Sequence, residues 1–178
     1  MILEVSSAKS IAFLHQKSEM ANDEMGVTSE DVVWYFGYGS NMKSTTMMSR
    51  GIRPLDTKVV KVRSYVLTFD VFGLAYSEPS MASIARYVRT SPLSAKHDDD
   101  PPDVHGVAFL ITFSDLTKLI ASEGGGVAYN EVMLDGVVVE DGAIISMYAL
   151  EAKFPRRPNA APSARYLVRL RKDTIETH

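Results

Sequence analysis

One carboxylate in this chain stands where proton chemistry can be done. Glu123 closes a stretch with helical spacing of apolar residues, is followed by Gly124, Gly125 and Gly126, and is followed soon after by Tyr129. Glycines let a ligand or another backbone come close. A carboxylate set among apolar neighbours takes and returns a proton near neutral pH. The competing reading is a helix-end residue turned to water, where the helix dipole disfavours negative charge. The second candidate is the loop in Trp34-Tyr35-Phe36-Gly37-Tyr38-Gly39-Ser40-Asn41-Met42, a hydrophobic strand that breaks at two glycines and offers a helix start at Ser40 and Asn41. Unpaired amides at such a turn form an anion nest. An ordinary strand-to-helix turn with a serine cap accounts for the same residues.

Other chemistries find no residues to carry them. His15, His97, His105 and His178 lack the i, i+4 partners or carboxylate spacing of a metal site. Asp98, Asp99 and Asp100 adjoin Pro101 and Pro102 and read as a solvated acidic loop rather than a cation site. The absence of cysteine removes disulfides and thiolate catalysis. No Gly-x-Ser-x-Gly elbow, Ser–His–Asp triad or Walker loop is present. No metal site is therefore expected. A net charge of −3 argues against nucleic acid, which asks for a basic face. Nothing approaches the roughly 20 apolar residues of a membrane span, and residues 11–14 are too short for a signal-peptide core. A soluble, cytoplasmic protein is the expectation.

The elements that must position these residues are short. At 178 residues the chain suits one sizeable core, with 1–31 read as an N-terminal extension and 32–178 as a single domain. A buried strand is predicted over 32–36, then a helix over 42–50 with Met42 and Met47 or Met48 inward. A long alternating strand follows over 59–69, a shorter one over 82–88, and a solvated loop over 91–102. The segment 104–113 reads as a strand, and Ser114 as the cap of a helix with Leu116, Leu119 and Ile120 on one face. Asp135-Gly136 signals a hairpin between 129–134 and 137–140. A strand over 143–150, a proline-rich connector over 154–162 and a final helix capped by Ser163, with Tyr166, Leu167 and Leu170, complete the chain. Six or seven strands with three short helices imply an α+β fold, a mostly antiparallel sheet curled toward a barrel.

Taken together, the motifs resemble a family. Tyr35-Phe36-Gly37-Tyr38-Gly39-Ser40-Asn41-Met42 is similar to the Tyr-Phe-x-Tyr-Gly-Ser-Asn signature of the γ-glutamylcyclotransferases. Gly106-Val107, Glu123-Gly124, Tyr129 and Pro162-Ser163-Ala164-Arg165-Tyr166 follow in the family's order, so the resemblance covers roughly residues 33–170. It implies a barrel-like fold whose loop amides hold the α-carboxylate of a γ-glutamyl unit. Glu123 is then the general acid/base that moves protons while the substrate's own α-amine attacks its γ-carbonyl, releasing 5-oxoproline and a free amine without cofactor or metal. On this reading Tyr35, Phe36, Gly37, Tyr38, Gly39, Ser40, Asn41 and Tyr166 line the substrate, and Tyr129 orients it or Glu123. The partner is a small γ-glutamyl molecule, and the assembly a monomer or homodimer.

The chain also departs from its relatives. Three plain glycines after Glu123 suggest a wider pocket, a longer C-terminal helical region is missing, and the N-terminal segment is extra. Asn41 stands where the glutathione-specific branch carries leucine. A wide pocket suits larger γ-glutamyl conjugates, as in a fungal secondary-metabolism branch that includes the gliotoxin-pathway member. Two alternatives remain open. One is a tailoring enzyme using Glu123 for another intramolecular cyclisation, and the other a non-catalytic γ-glutamyl or carboxylate-binding module.

Overall fold

Val33, Trp34, Tyr35 and Phe36 are β-branched or aromatic, types that suit a pleated surface covered on both faces, and they form the middle of β1 (Val32–Gly37). The computed structural model describes residues 31–74, 78–87, 101–123, 126–164 and 167–168. Among them β2 (Asp56–Val62), β3 (Tyr65–Leu74), β4 (Glu78–Arg86), β5 (Val104–Thr112), β6 (Tyr129–Val138) and β7 (Ile144–Ala152) follow β1. Helix α1 (Ser44–Ser49) lies between β1 and β2, and α2 (Phe113–Ser122) between β5 and β6. All but Asp31 belong to the compact unit Val32–His178. No helix among the described residues is long and apolar enough to cross a membrane.

Five strands close into a barrel in the order β1–β5–β2–β6–β7, and β3 pairs with β4 in a separate hairpin. The neighbours are antiparallel, except where β1 meets β7 in parallel at Tyr35 and Tyr148. The expected curled antiparallel sheet is thus a closed barrel, which removes the exposed edges an open sheet would carry. Each barrel strand sends a side chain into one cluster (Phe36, Val60, Ala108, Leu134 and Met147), where Ala82 and Ile84 of β4 join them. The opposite face of β1, β5 and β7 builds a second cluster. There Tyr35, Phe109 and Leu150 meet Met47 of α1 and Leu116 and Leu119 of α2. The three-residue spacing of Leu116 and Leu119 puts both on one side of α2, as expected.

The hairpin is tied to the barrel by polar contacts. The buried Ser83 Oγ accepts a hydrogen bond from the Ala152 amide at 2.7 Å. The irregular 154–162 connector lies against β3, its Arg156 amide donating to Asp70 O at 2.8 Å and its Ala160 amide to Phe69 O at 3.0 Å. Arg157 Nη1 pairs with the carboxylate of the buried Asp70.

Several expected boundaries are corrected. The single strand over 59–69 is two strands in different sheets, broken at Ser64, whose φ of 61° turns the chain. A non-glycine residue in that region is uncommon, so nothing in the pattern announced it. Strand β6 runs straight through Asp135 and Gly136, and the turn falls at 139–143, with Gly142 at φ 76° and the Val138 amide bonded to Ala143 O at 2.8 Å. Gly136 sits inside the strand with its Cα facing the movable end of the buried Met147 side chain rather than in a turn. Helix α2 is capped by Thr112, not Ser114, its side chain accepting from the Asp115 amide at 3.1 Å. Helix α1 starts at Ser44, and Met47 is buried while Met48 is exposed. The extension 1–31 apart from Asp31, the loop up to residue 100, Tyr166 and Leu170 lie outside the described residues.

Candidate active site

The loop after β1 is shaped by a close approach. A Cβ on Gly37 would stand 2.8 Å from the Asn41 carbonyl oxygen, so only glycine lets the chain fold back here. The Met42 amide closes the turn on Gly39 O at 3.2 Å. Tyr38, Gly39, Ser40 and Asn41 thereby reach the end of the barrel. Glu123, at the C-cap of α2, arrives at the same place, its amide bonded to Leu119 O and Ile120 O. With Tyr35, Ala82, Tyr129 and Leu150, these residues line an open cleft of about 320 Å³, its mouth included.

Asn41 links the two halves of the cleft. Its Nδ2 donates to Glu123 Oε1 at 3.0 Å and to Tyr35 Oη at 3.1 Å. A carboxylate only accepts, so the amide nitrogen, not the oxygen, must face Glu123. Asn41 Oδ1 is then buried with no partner. Arg50 Nη1 also pairs with Glu123 Oε1 and donates to Ser122 Oγ at 3.1 Å. The aromatic walls are anchored to the frame: Tyr38 Oη donates to Leu150 O, and Tyr129 Oη to Ala82 O at 3.2 Å. The amides of Gly39, Ser40 and Asn41 donate to no described residue. The lining therefore brings together amides that donate to no described residue and a carboxylate. A negatively charged group fits the first, and a proton in transit the second.

Of the residues expected at a ligand, the cleft gathers Tyr35, Tyr38, Gly39, Ser40, Asn41, Glu123 and Tyr129. Phe36 is corrected: strand alternation sends it into the barrel interior, where it is 0% exposed. Gly37 is also absent from the lining and shapes the loop instead. Ser40 and Asn41 do not start a helix, because they sit in the Gly39–Met42 turn and Lys43 is the N-cap of α1. The neighbours of Glu123 are not apolar but Asn41, Arg50 and, through Arg50, Ser122. Gly124, Gly125 and Tyr166 fall outside the described residues, and Gly126 is exposed away from the lining.

Arg50, Ala82 and Leu150 were not foreseen. Arg50 reads locally as a basic residue ending a helix, and only the fold brings it across 73 positions to Glu123. Among the described residues no cluster of histidine and carboxylate side chains could hold a metal ion.

No family model matches the chain. It is 44% identical over 146 residues to the γ-glutamyl cyclotransferase gliK of Aspergillus fumigatus, covering 76% of this chain and 54% of that one. It is 44% identical over 147 residues to the γ-glutamyl cyclotransferase verK of Clonostachys rogersoniana, covering 77% and 82%. The chain thus spans about half the length of the first relative and most of the second. Its fold matches a solved γ-glutamyl cyclotransferase with a TM-score of 0.65 at 18% identity, over 82% of this chain and 80% of that one. A glutathione-specific γ-glutamyl cyclotransferase from yeast matches with a TM-score of 0.57 at 12% identity, over 82% and 87%. With its extent of match to verK, and with the loop and glutamate of the signature facing one cleft, the chain belongs to the γ-glutamyl cyclotransferase family.

Proposed function

We propose that this chain converts a γ-glutamyl amine into 5-oxoproline and the free amine, with Glu123 as general acid/base. The observation that carries the reading is that the Glu123 carboxylate shares a cleft with three successive amides, of Gly39, Ser40 and Asn41, that have no acceptor among the described residues. Those amides suit the substrate α-carboxylate. With the α-carboxylate held, the neutral α-amine attacks the γ-carbonyl carbon of its own molecule. As that C–N bond forms, Glu123 takes one proton from the attacking nitrogen. As the bond to the leaving nitrogen breaks, Glu123 returns the proton to it, and the carboxylate ends as it began.

The nucleophile belongs to the substrate, so positioning and proton transfer are the whole task. Positioning can contribute roughly 7–11 kcal/mol, and acid/base catalysis about 10²–10⁴-fold. The likeness to two γ-glutamyl cyclotransferases, gliK and verK, supports this reading. We assign the substrate to γ-glutamyl conjugates of secondary metabolism, in keeping with the likeness to gliK and verK. Release of 5-oxoproline from a panel running from γ-glutamyl dipeptides to bulky γ-glutamyl amines tests both statements. Glu123→Gln is expected to lose about 10²–10⁴-fold in kcat with an unchanged melting temperature. Turnover retained in that variant overturns the role of Glu123.

A further inference from the structure

Glu123 carries its charge at an unfavourable place. As the C-cap of α2 it faces the negative end of the helix dipole, and helix geometry alone would let its side chain swing to solvent. Two donors prevent this at the same oxygen. Asn41 Nδ2 holds Oε1 from the loop side, and Arg50 Nη1 holds it while also bonding Ser122 Oγ. Ser122 Oγ in turn donates to Leu119 O at 2.7 Å, so the guanidinium grips the last turn of α2 as well as the carboxylate. Oε2 accepts nothing from the described residues.

Arg50 is itself firmly placed. It is the C-cap of α1, its amide bonded to Met47 O, and the Ile52 amide returns to the same carbonyl at 3.0 Å. Met47 and Ile52 are both 0% exposed, so the backbone on either side of Arg50 is anchored in the core. Arg50 is not part of the cleft lining, whereas Glu123 is.

We propose that Arg50 is a positioning residue that pins Glu123 through Oε1 and so leaves Oε2 as the oxygen that carries the proton. The proposal rests on the reading of Glu123 as proton carrier. Arg50 supplies the positive charge that makes a carboxylate tolerable at a helix C-terminus, and its Nη1, shared between Ser122 Oγ and Glu123 Oε1, fixes the rotamer of that carboxylate. The segment 38–52 also carries Asn41 and the amides that have no acceptor among the described residues, so one stretch of chain sets both the substrate loop and the placement of Glu123.

The test compares wild type, Arg50→Ala, Arg50→Lys and Glu123→Gln for 5-oxoproline release from a γ-glutamyl probe. Arg50→Ala is expected to lose roughly 10–100-fold in kcat, as for misplacement of a reacting group by about 1 Å, with KM nearly unchanged. Millimolar guanidinium is expected to restore much of the loss. Arg50→Lys should fall between wild type and Arg50→Ala, because the ammonium keeps the charge but sits on a more flexible stem than the planar guanidinium. A risen KM with intact kcat means that Arg50 contacts substrate, and a loss that guanidinium does not rescue means a merely structural role. Either result overturns the proposal. If Glu123→Gln is as active as wild type, the proton-carrier reading fails instead. A readout independent of turnover is carbodiimide labelling of Glu123, followed by peptide mass. Labelling several-fold faster in Arg50→Ala, and slowed again by guanidinium, supports the clamp, while equal rates overturn it.

Discussion

Asn41 does the work of a hinge pin at the residue scale, because one amide group serves two oxygens. Its nitrogen bridges Tyr35 Oη and Glu123 Oε1. Its own oxygen is buried without a partner, a state that costs about 1–3 kcal/mol when nothing fills it. Asn41→Asp tests the donor half of this arrangement. The substitution keeps the shape but replaces the nitrogen 3.0 Å from Glu123 with an oxygen, so two acceptors oppose each other and Glu123 loses its hold. A kcat loss of about 10²-fold is expected, in the range of a misplaced reacting group, with a smaller loss in Asn41→Ala, which removes the donor without adding charge. If Asn41→Asp and Asn41→Ala both turned over as fast as wild type, the contact with Glu123 would carry no weight.

At the level of elements, α2 shows what a sequence discloses and what it withholds. Its apolar face was legible because Leu116 and Leu119 repeat at helical spacing, and both are buried. Its cap was misplaced by two residues, since Thr112 and Ser114 are both good caps and only the extended backbone at Thr112 decides between them. The two strands read as one were hidden because Ser64 adopts a positive φ without being glycine. Gly136 misled in the opposite sense, as a glycine in the middle of a strand rather than at a turn. The loop and Glu123 were legible as a motif, whereas Arg50 was not, because a pairing across 73 residues leaves no local trace. Thr112→Ala follows from the corrected cap. It should cost about 1 kcal/mol, read as a fall in melting temperature, while kcat at 25 °C stays unchanged because the far end of α2 is held by Arg50. A loss of kcat in a still-folded Thr112→Ala would mean that the two ends of the helix are not independent.

On the scale of the whole molecule, the barrel supplies rigidity and the β3–β4 hairpin supplies the last wall of the cleft. Ala82 lines that wall, and its carbonyl holds Tyr129 Oη at 3.2 Å. What keeps the hairpin in place is therefore a question about the site as well as the fold. One tie is the Ser83 hydroxyl accepting from the Ala152 amide, and another is the 154–162 connector, pinned through Arg157 to Asp70. Asp70 is 1% exposed, its Oδ1 has no partner and its Oδ2 meets Arg157. Removing the guanidinium leaves a buried carboxylate uncompensated, which costs 3–5 kcal/mol in fully buried pairs. Arg157 is half exposed and its end of the pair is screened by water, so about 2–3 kcal/mol is the expected loss for Arg157→Ala. At roughly 2–4 °C per kcal/mol for a chain of this size, calorimetry should record a fall of about 4–12 °C. Asp70→Asn in the Arg157→Ala background removes the stranded charge and should recover part of that loss, giving a non-additive double-mutant cycle. Below the lowered melting point the wall formed by Ala82 and Tyr129 would be looser while Glu123 keeps its own clamp. Arg157→Ala should accordingly raise KM more than it lowers kcat, and a fall in kcat alone would place the hairpin outside substrate binding.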